Sequence, residues 1–238
     1  MGALAEPRKR AHLRPNGETP QLELGKLKMR NDLERRAFLR GMIALGALSV
    51  ASPALAHGHA DVLSKATRAR LLSGDLAIYF RHAATTWSGV DRIEWPREQQ
   101  RLLSDDGISQ SRQIGESIKG LGAPIGDVIA SPFARCRDMA EIAFGRVEER
   151  FELLGLLSDA EGRPERVAFL RQQLSTPTAG AGNRVIVSHR SNIAEVAGVS
   201  LGEGDAVLAL PLGEGRFETL ETLKPADWVG LVAKVGDG

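Results

Sequence analysis

Three short stretches of this chain carry residues suited to holding and transferring a phosphoryl group: Arg81-His82, Ser131-Pro132-Phe133-Ala134-Arg135 and Ser188-His189. Arginine clamps phosphate well because its planar fork donates two parallel hydrogen bonds and never loses its charge. Histidine is a nucleophile when one ring nitrogen is neutral and the other is held by a backbone carbonyl. Two arginines and two histidines brought together would enclose a phosphoryl group from several sides. An Arg-His pair is common at strand ends, so order and context must carry the reading.

The elements that position these residues are legible in the apolar pattern. Leu76 to Phe80, Val128 to Ala130 and Arg184 to Val187 are compact runs of the length expected for strands buried on both faces. Helices are expected over Asp61 to Leu72, from an N-cap at Ser104 to Gly120, from Pro132 to about Phe144, from Pro164 to Leu174 and from about Asn192. Val147 to Leu153 reads as a charged edge strand, Ser175 to Asn183 as a loop, and Ala206 to Leu210 with Gly215 to Leu220 as a closing hairpin. Alternating strands and amphipathic helices predict an α/β fold, a three-layer αβα sandwich around a mainly parallel (mixed) sheet. Ligands bind at the carboxyl ends of the strands in such sheets. All three polar stretches fall at those ends.

At these residues the sequence resembles the histidine phosphatase (phosphoglycerate mutase-like) superfamily. Arg81 to Ser88 is similar to the family's R-H-G-E-T-x-W-N, and Leu103 to Gly107 to its L-S-x-x-G. Ile129 to Ala140 resembles S-S-P-x-x-R-A-x-x-T-A, and Val187 to Ile193 resembles V-S-H-G-x-x-I. The resemblance runs from Leu76 to Leu220. It implies that His82 is the nucleophile that becomes phosphorylated, that Arg81 and Arg135 hold the phosphate oxygens, and that His189 stabilises developing charge. It also implies a general acid after the strand that follows the second arginine. Glu152 is the candidate, with Asp159 and Glu203 behind it. Thr85 and Ser88 occupy positions that either donate to the phosphate or cap their own loop. Arg137, two positions from Arg135, belongs on a different helix face.

The chain departs from the family pattern at four places. Ala83 stands where the family has glycine, which is strained if the position needs a positive φ. Ser88 is shorter than the usual Asn, and Met139 replaces a Thr. Arg190 replaces the glycine after the second histidine, which places a large cation at the pocket mouth, available to a second acidic group on the substrate or to solvent.

Charge divides the chain. Residues 1–56 hold 10 Lys+Arg and 5 Asp+Glu, a balance of +5, whereas residues 57–238 balance at −4. Glu34-Arg35-Arg36-Ala37-Phe38-Leu39-Arg40 precedes an uncharged run from Gly41 to Ala56 that ends in Ala54-Leu55-Ala56. Basic region, apolar run and small-residue cleavage pattern occur in the order of an export signal, and the paired arginines resemble the twin-arginine type. A start at Met29 gives a more usual signal length. Residues 1–56 are therefore expected to be a leader and signal peptide that engages the Tat export machinery. Residues 57–238 are the expected periplasmic enzyme, with no stable membrane span after cleavage.

The mildly acidic remainder, with aromatic residues at only 5% of the chain, argues against a nucleic-acid partner. The single cysteine, Cys136, excludes an internal disulfide and reads as a buried thiol. His12, His57, His59, His82 and His189 have no metal-ligand spacing, so no metal and no cofactor are expected. The function these features predict is metal-independent hydrolysis of a small phosphomonoester through a phosphohistidine on His82. A phosphomutase of the same fold, or a protein that binds phosphorylated ligands without turnover, stands as the alternative.

Overall fold

Strand β1 (Ala77–Arg81) is wholly apolar up to its last residue, and it lies inside the sheet between two neighbours. The computed structural model describes residues 62–157 and 162–233. The export signal, His57, His59 and Asp159 lie outside the described residues. The elements in chain order are α1 (Lys65–Ser73), β1, α2 (Asp105–Gly120), β2 (Ile125–Ala130), α3 (Ala134–Phe144), β3 (Glu148–Glu149), α4 (Arg163–Ser175), β4 (Asn183–Ser188), α5 (Arg190–Ala197), β5 (Ala206–Gly213), β6 (Arg216–Leu223) and α6 (Pro225–Ala233).

The sheet order is β3-β2-β4-β1-β5-β6. The first four strands are parallel, and β5 and β6 continue the sheet antiparallel, so the sheet is mixed as expected. Alternate side chains serve the two faces. Ile78, Phe80, Val185 and Val187 join a core with residues of α1, α2, α3 and α6, while Ala77, Tyr79 and Ile186 join a second core with Leu170, Leu174 and Ile193 of α4 and α5. The result is a three-layer α/β sandwich.

Several boundaries differ from the sequence expectation. The expected edge strand over Val147 to Leu153 contracts to the two residues of β3, after which Phe151–Leu153 forms a 3-10 turn. Glu-Glu-Arg offers no apolar face, so pairing stops early. Helix α5 starts two residues earlier than expected, directly after His189. The hairpin turns on Glu214 and Gly215, both at positive φ, rather than over Pro211 to Glu214. Helix α6 has no counterpart in the sequence expectation. Its fully buried Trp228 packs its ring 5.9 Å from that of Phe80.

Register brings the three polar stretches together. Arg81 pairs with Ser188, and Val187 pairs with both Phe80 and Ala130. The ladder runs one residue further on each side, because the His82 amide donates to the Ser188 carbonyl and the Ser131 amide to the Val187 carbonyl, each at 3.0 Å. The loop after β1 is fixed by the start of α2. Ser104 caps that helix by accepting from the Gly107 amide, and its own amide donates to the Ala84 carbonyl. A Cβ at Gly107 would fall 2.1 Å from that carbonyl, so only glycine permits the approach.

Candidate active site

A cleft of about 410 Å³ opens at the carboxyl ends of β1 and β4. His82, Arg81, Arg101, Arg135, His189 and Asp91 line its floor, and Val90, Leu157 and Arg190 its outer part. A second cleft of about 430 Å³, between α2 and α3, has no histidine or serine in its lining.

His82 is buried, and its Nδ1 lies 3.0 Å from the Ala83 carbonyl oxygen. A carbonyl only accepts, so the neutral ring carries its proton on Nδ1 and leaves the Nε2 lone pair free. Burial, reinforced by the charge of Arg135, holds this imidazole well below its ordinary range, against the raising effect of the Ala83 hydrogen bond. The ring is therefore neutral at physiological pH. Ala83 is not at positive φ, since Ala179 and Glu214 are the non-glycine residues there among the described ones. Its side chain packs in the core, and the strain its sequence position suggested is absent.

His189 is buried on the other side of the floor, its ring 5.7 Å from that of His82. Arg135 Nη2 lies 3.4 Å from Nδ1, and Ser131 Oγ lies 2.9 Å from Nε2. A guanidinium can only donate, so Nδ1 accepts and Nε2 carries the proton towards Ser131. Burial again comes first among the causes that push this imidazole well down, followed by Arg135 and His82. Ser188, Cys136 and Phe133 fill in behind it, with the Phe133 ring edge-on at 5.4 Å. The Cys136 thiol is buried and its pKa is pushed up to about 12, mainly by burial, so it is not a nucleophile.

The arginines are held by two carboxylates: Asp91, which the sequence did not single out, and Glu203, which it offered only as a reserve general acid. Arg135 donates from Nη1 to Asp91 Oδ2 at 2.7 Å, both side chains being buried. Asp91 Oδ2 also accepts from the Arg101 amide at 2.9 Å. Glu203 Oε1 takes Arg81 at 3.3 Å, Arg101 at 3.1 Å and the Thr85 hydroxyl at 3.2 Å. Arg81 further donates to the Leu201 carbonyl, and Arg101 to Thr85 Oγ1 at 2.7 Å. One carboxylate thus lets two guanidiniums sit side by side. Gln100 anchors the loop that carries Asp91, accepting from the Ala134 amide at the start of α3 and donating to the Trp95 carbonyl.

His82, Arg81, Arg135, His189 and Arg190 all line the cleft. Thr85 lies just behind it, engaged with Glu203 and Arg101. Ser88 is exposed on the loop and does not line the cleft, and neither does Glu152, which sits in the 3-10 turn after β3. Glu152, the general acid expected from the sequence, thus lies outside the cleft lining. It follows β3 in the chain, as the resemblance implies for a general acid. Glu203 is the hub of two arginines. Arg137 pairs with Glu149 at 3.1 Å, away from the site. Among the described residues, no group of three or more His, Cys, Asp or Glu could hold a metal ion.

The family model of the histidine phosphatase superfamily (branch 1) matches residues 78–162. No curated protein matches the chain. Among solved structures, the protein histidine phosphatase SixA complexed with tungstate is 17% identical, with a TM-score of 0.49, covering 64% of this chain and 98% of that one. A variant of phosphoserine phosphatase from Entamoeba histolytica in complex with phosphoserine is 14% identical, with a TM-score of 0.45, covering 64% of this chain and 98% of that one.

Proposed function

We propose that this protein is a histidine phosphatase that hydrolyses a small phosphomonoester through a phosphohistidine on His82, without a metal. The observation that carries this is the ring of His82. Its Nδ1 is committed to a backbone carbonyl, and its neutral Nε2 is left free in a cleft lined by four arginines. The family match over residues 78–162 supports the same reading.

In the first step Nε2 attacks phosphorus and the ester P–O bond breaks, with the leaving oxygen taking a proton. In the second, water attacks phosphorus, loses a proton to solvent, and the P–N bond breaks to return the lone pair to Nε2. Arg81, Arg101 and Arg135 neutralise charge spread over the phosphoryl oxygens, the main requirement of phosphoryl transfer. His189 is a positioning residue: between Ser131 and Arg135, it orients the guanidinium. Asp91 is the one carboxylate lining the cleft among the described residues, and it is committed to Arg135. Among the described residues no carboxylate lining the cleft is therefore free to act as the acid, and on this reading solvent supplies the leaving group's proton.

The same reading takes residues 1–56 as a twin-arginine export signal and places the enzyme in the periplasm. Replacing Arg35 and Arg36 with Lys strands the precursor in the cytoplasm on this account. A normal periplasmic yield would instead assign it to another route.

Incubation of the protein with aryl phosphates in excess chelator tests the activity. Phosphate release that is undiminished by chelator is expected. Release only after added metal, or transfer of the phosphoryl group to a second position of the substrate, would replace this reading with a metal enzyme or a mutase.

A further inference from the structure

Three of the four arginines lining the cleft have internal partners: Arg81 and Arg101 share Glu203, and Arg135 has Asp91. Arg190 has none. It is exposed, it lines the cleft, and it forms no hydrogen bond or ion pair with any described residue. Its position does not favour the fold either. Arg190 is the first residue of α5, where the helix dipole is positive and a cation is destabilising. The charge nonetheless lies close to the reacting region. After burial and the opposing pull of Glu203, Arg190 is next among the influences on the Arg81 guanidinium.

Around Arg190 the described side chains of the outer cleft are Val90, Leu157, Ala194 and Ser191, whose hydroxyl is taken up by the Leu156 amide and Asn192. Val90 is 79% exposed and Leu157 is 86% exposed, and both line the cleft. A group extending from a phosphate on the cleft floor therefore passes two apolar side chains and meets one unmatched guanidinium.

We infer that the substrate is a phosphomonoester whose leaving group carries a second anionic group, separated from the reacting phosphate by a short apolar spacer, and that Arg190 selects it. This rests on the reading of the cleft as a phosphomonoester site. A planar fork suits a carboxylate or a second phosphate through two parallel hydrogen bonds. Exposure screens the pair, so the preference is moderate, about tenfold in affinity.

Titration calorimetry on the full-length chain with two non-hydrolysable probes, benzylphosphonate and 4-carboxybenzylphosphonate, tests this without requiring turnover. The wild type should bind the carboxylated probe about tenfold more tightly. Arg190→Gln should weaken both probes but bring that preference below about twofold, and Arg190→Lys, which keeps the charge but loses the fork, should fall between. An unchanged melting temperature shows that the exposed substitution leaves folding intact. A wild type that binds benzylphosphonate with no preference, or an Arg190→Gln protein that keeps the preference, overturns the role of Arg190 and leaves the phosphomonoester site standing. Failure of the wild type to bind either probe removes that site, and this inference with it.

Discussion

The two sides of the cleft floor each present a buried histidine held neutral mainly by burial, yet the two rings are wired differently. On the β1 side, His82 uses Nδ1 on the Ala83 carbonyl and keeps Nε2 free. On the β4 side, His189 is engaged at both nitrogens, by Arg135 and by Ser131. Burial and pKa direction alone do not separate a nucleophile from a positioning residue. The hydrogen-bond partner of each nitrogen does.

The contrast is broken most severely by substitution at the two rings themselves. His82→Asn should remove turnover below detection, whereas His189→Asn should reduce kcat by about 10²–10³-fold, the scale for disturbing one donor at developing charge. Rates measured side by side on an aryl phosphate decide this, and equal losses would mean the two rings act as one unit. Arg135→Ala should cost a similar 10²–10³-fold, because it removes the donor that His189 orients. If His189 works only through Arg135, the double variant should be little worse than Arg135→Ala. Additive losses would give His189 a separate contact with the phosphate.

Acid should act on both sides alike. Each ring titrates near 6.5 when unfolded and well below that when folded. The unfolded chain therefore binds more protons below about pH 6.5, and stability falls as pH falls through that value, by up to about 1.4 kcal/mol per pH unit for each ring. Chemical denaturation at a series of pH values should show this slope, reduced in His189→Asn. Activity should follow a different course, because His82 stays deprotonated. An acid limb in kcat/KM assigned to His82 at or above pH 6.5 would contradict the buried, neutral ring. The smallest effect is expected at Ser131, where removal of the hydroxyl should lower kcat about five- to tenfold through a misplaced His189 ring, with KM little changed.

Much of this floor was legible in the sequence because local pattern controls it. Apolar runs of strand length placed Arg81, Ser131 and Ser188 at strand ends, and the parallel register did the rest. The pairing of carboxylates with arginines was not legible, although Glu203 stood among the candidates for a different role. Asp91 lies 44 residues from Arg135, and Glu203 lies 122 residues from Arg81 and 102 from Arg101. No periodicity reports such pairings. Arg101 precedes the Leu-Ser helix start in a stretch that reads as plain loop, so nothing local marks it as a site residue. The length of β3 was not legible for a different reason: a charged segment reads as a strand over Val147 to Leu153, and β3 ends at Glu149. Helix α6 carries its apolar residues in a short run after Lys224-Pro225, which resembles a strand tail as much as a helix.

The proposal that solvent protonates the leaving group sets a further condition on the comparison, since among the described residues neither histidine nor Asp91 is free to serve as the acid. Rates for a series of aryl and alkyl phosphates should fall steeply as the leaving alcohol becomes more basic. A flat series would require an acid in the cleft, and Asp91→Asn or Asp159→Asn would then identify it.

The most direct test is to locate the covalent phosphate. Acid-free rapid quench during turnover, followed by peptide mass spectrometry and ³¹P NMR, should find a phosphoramidate on Nε2 of His82 that is lost in His82→Asn and retained in His189→Asn. Phosphate on His189, on Nδ1 of His82, or on neither ring during active turnover would contradict the assignment.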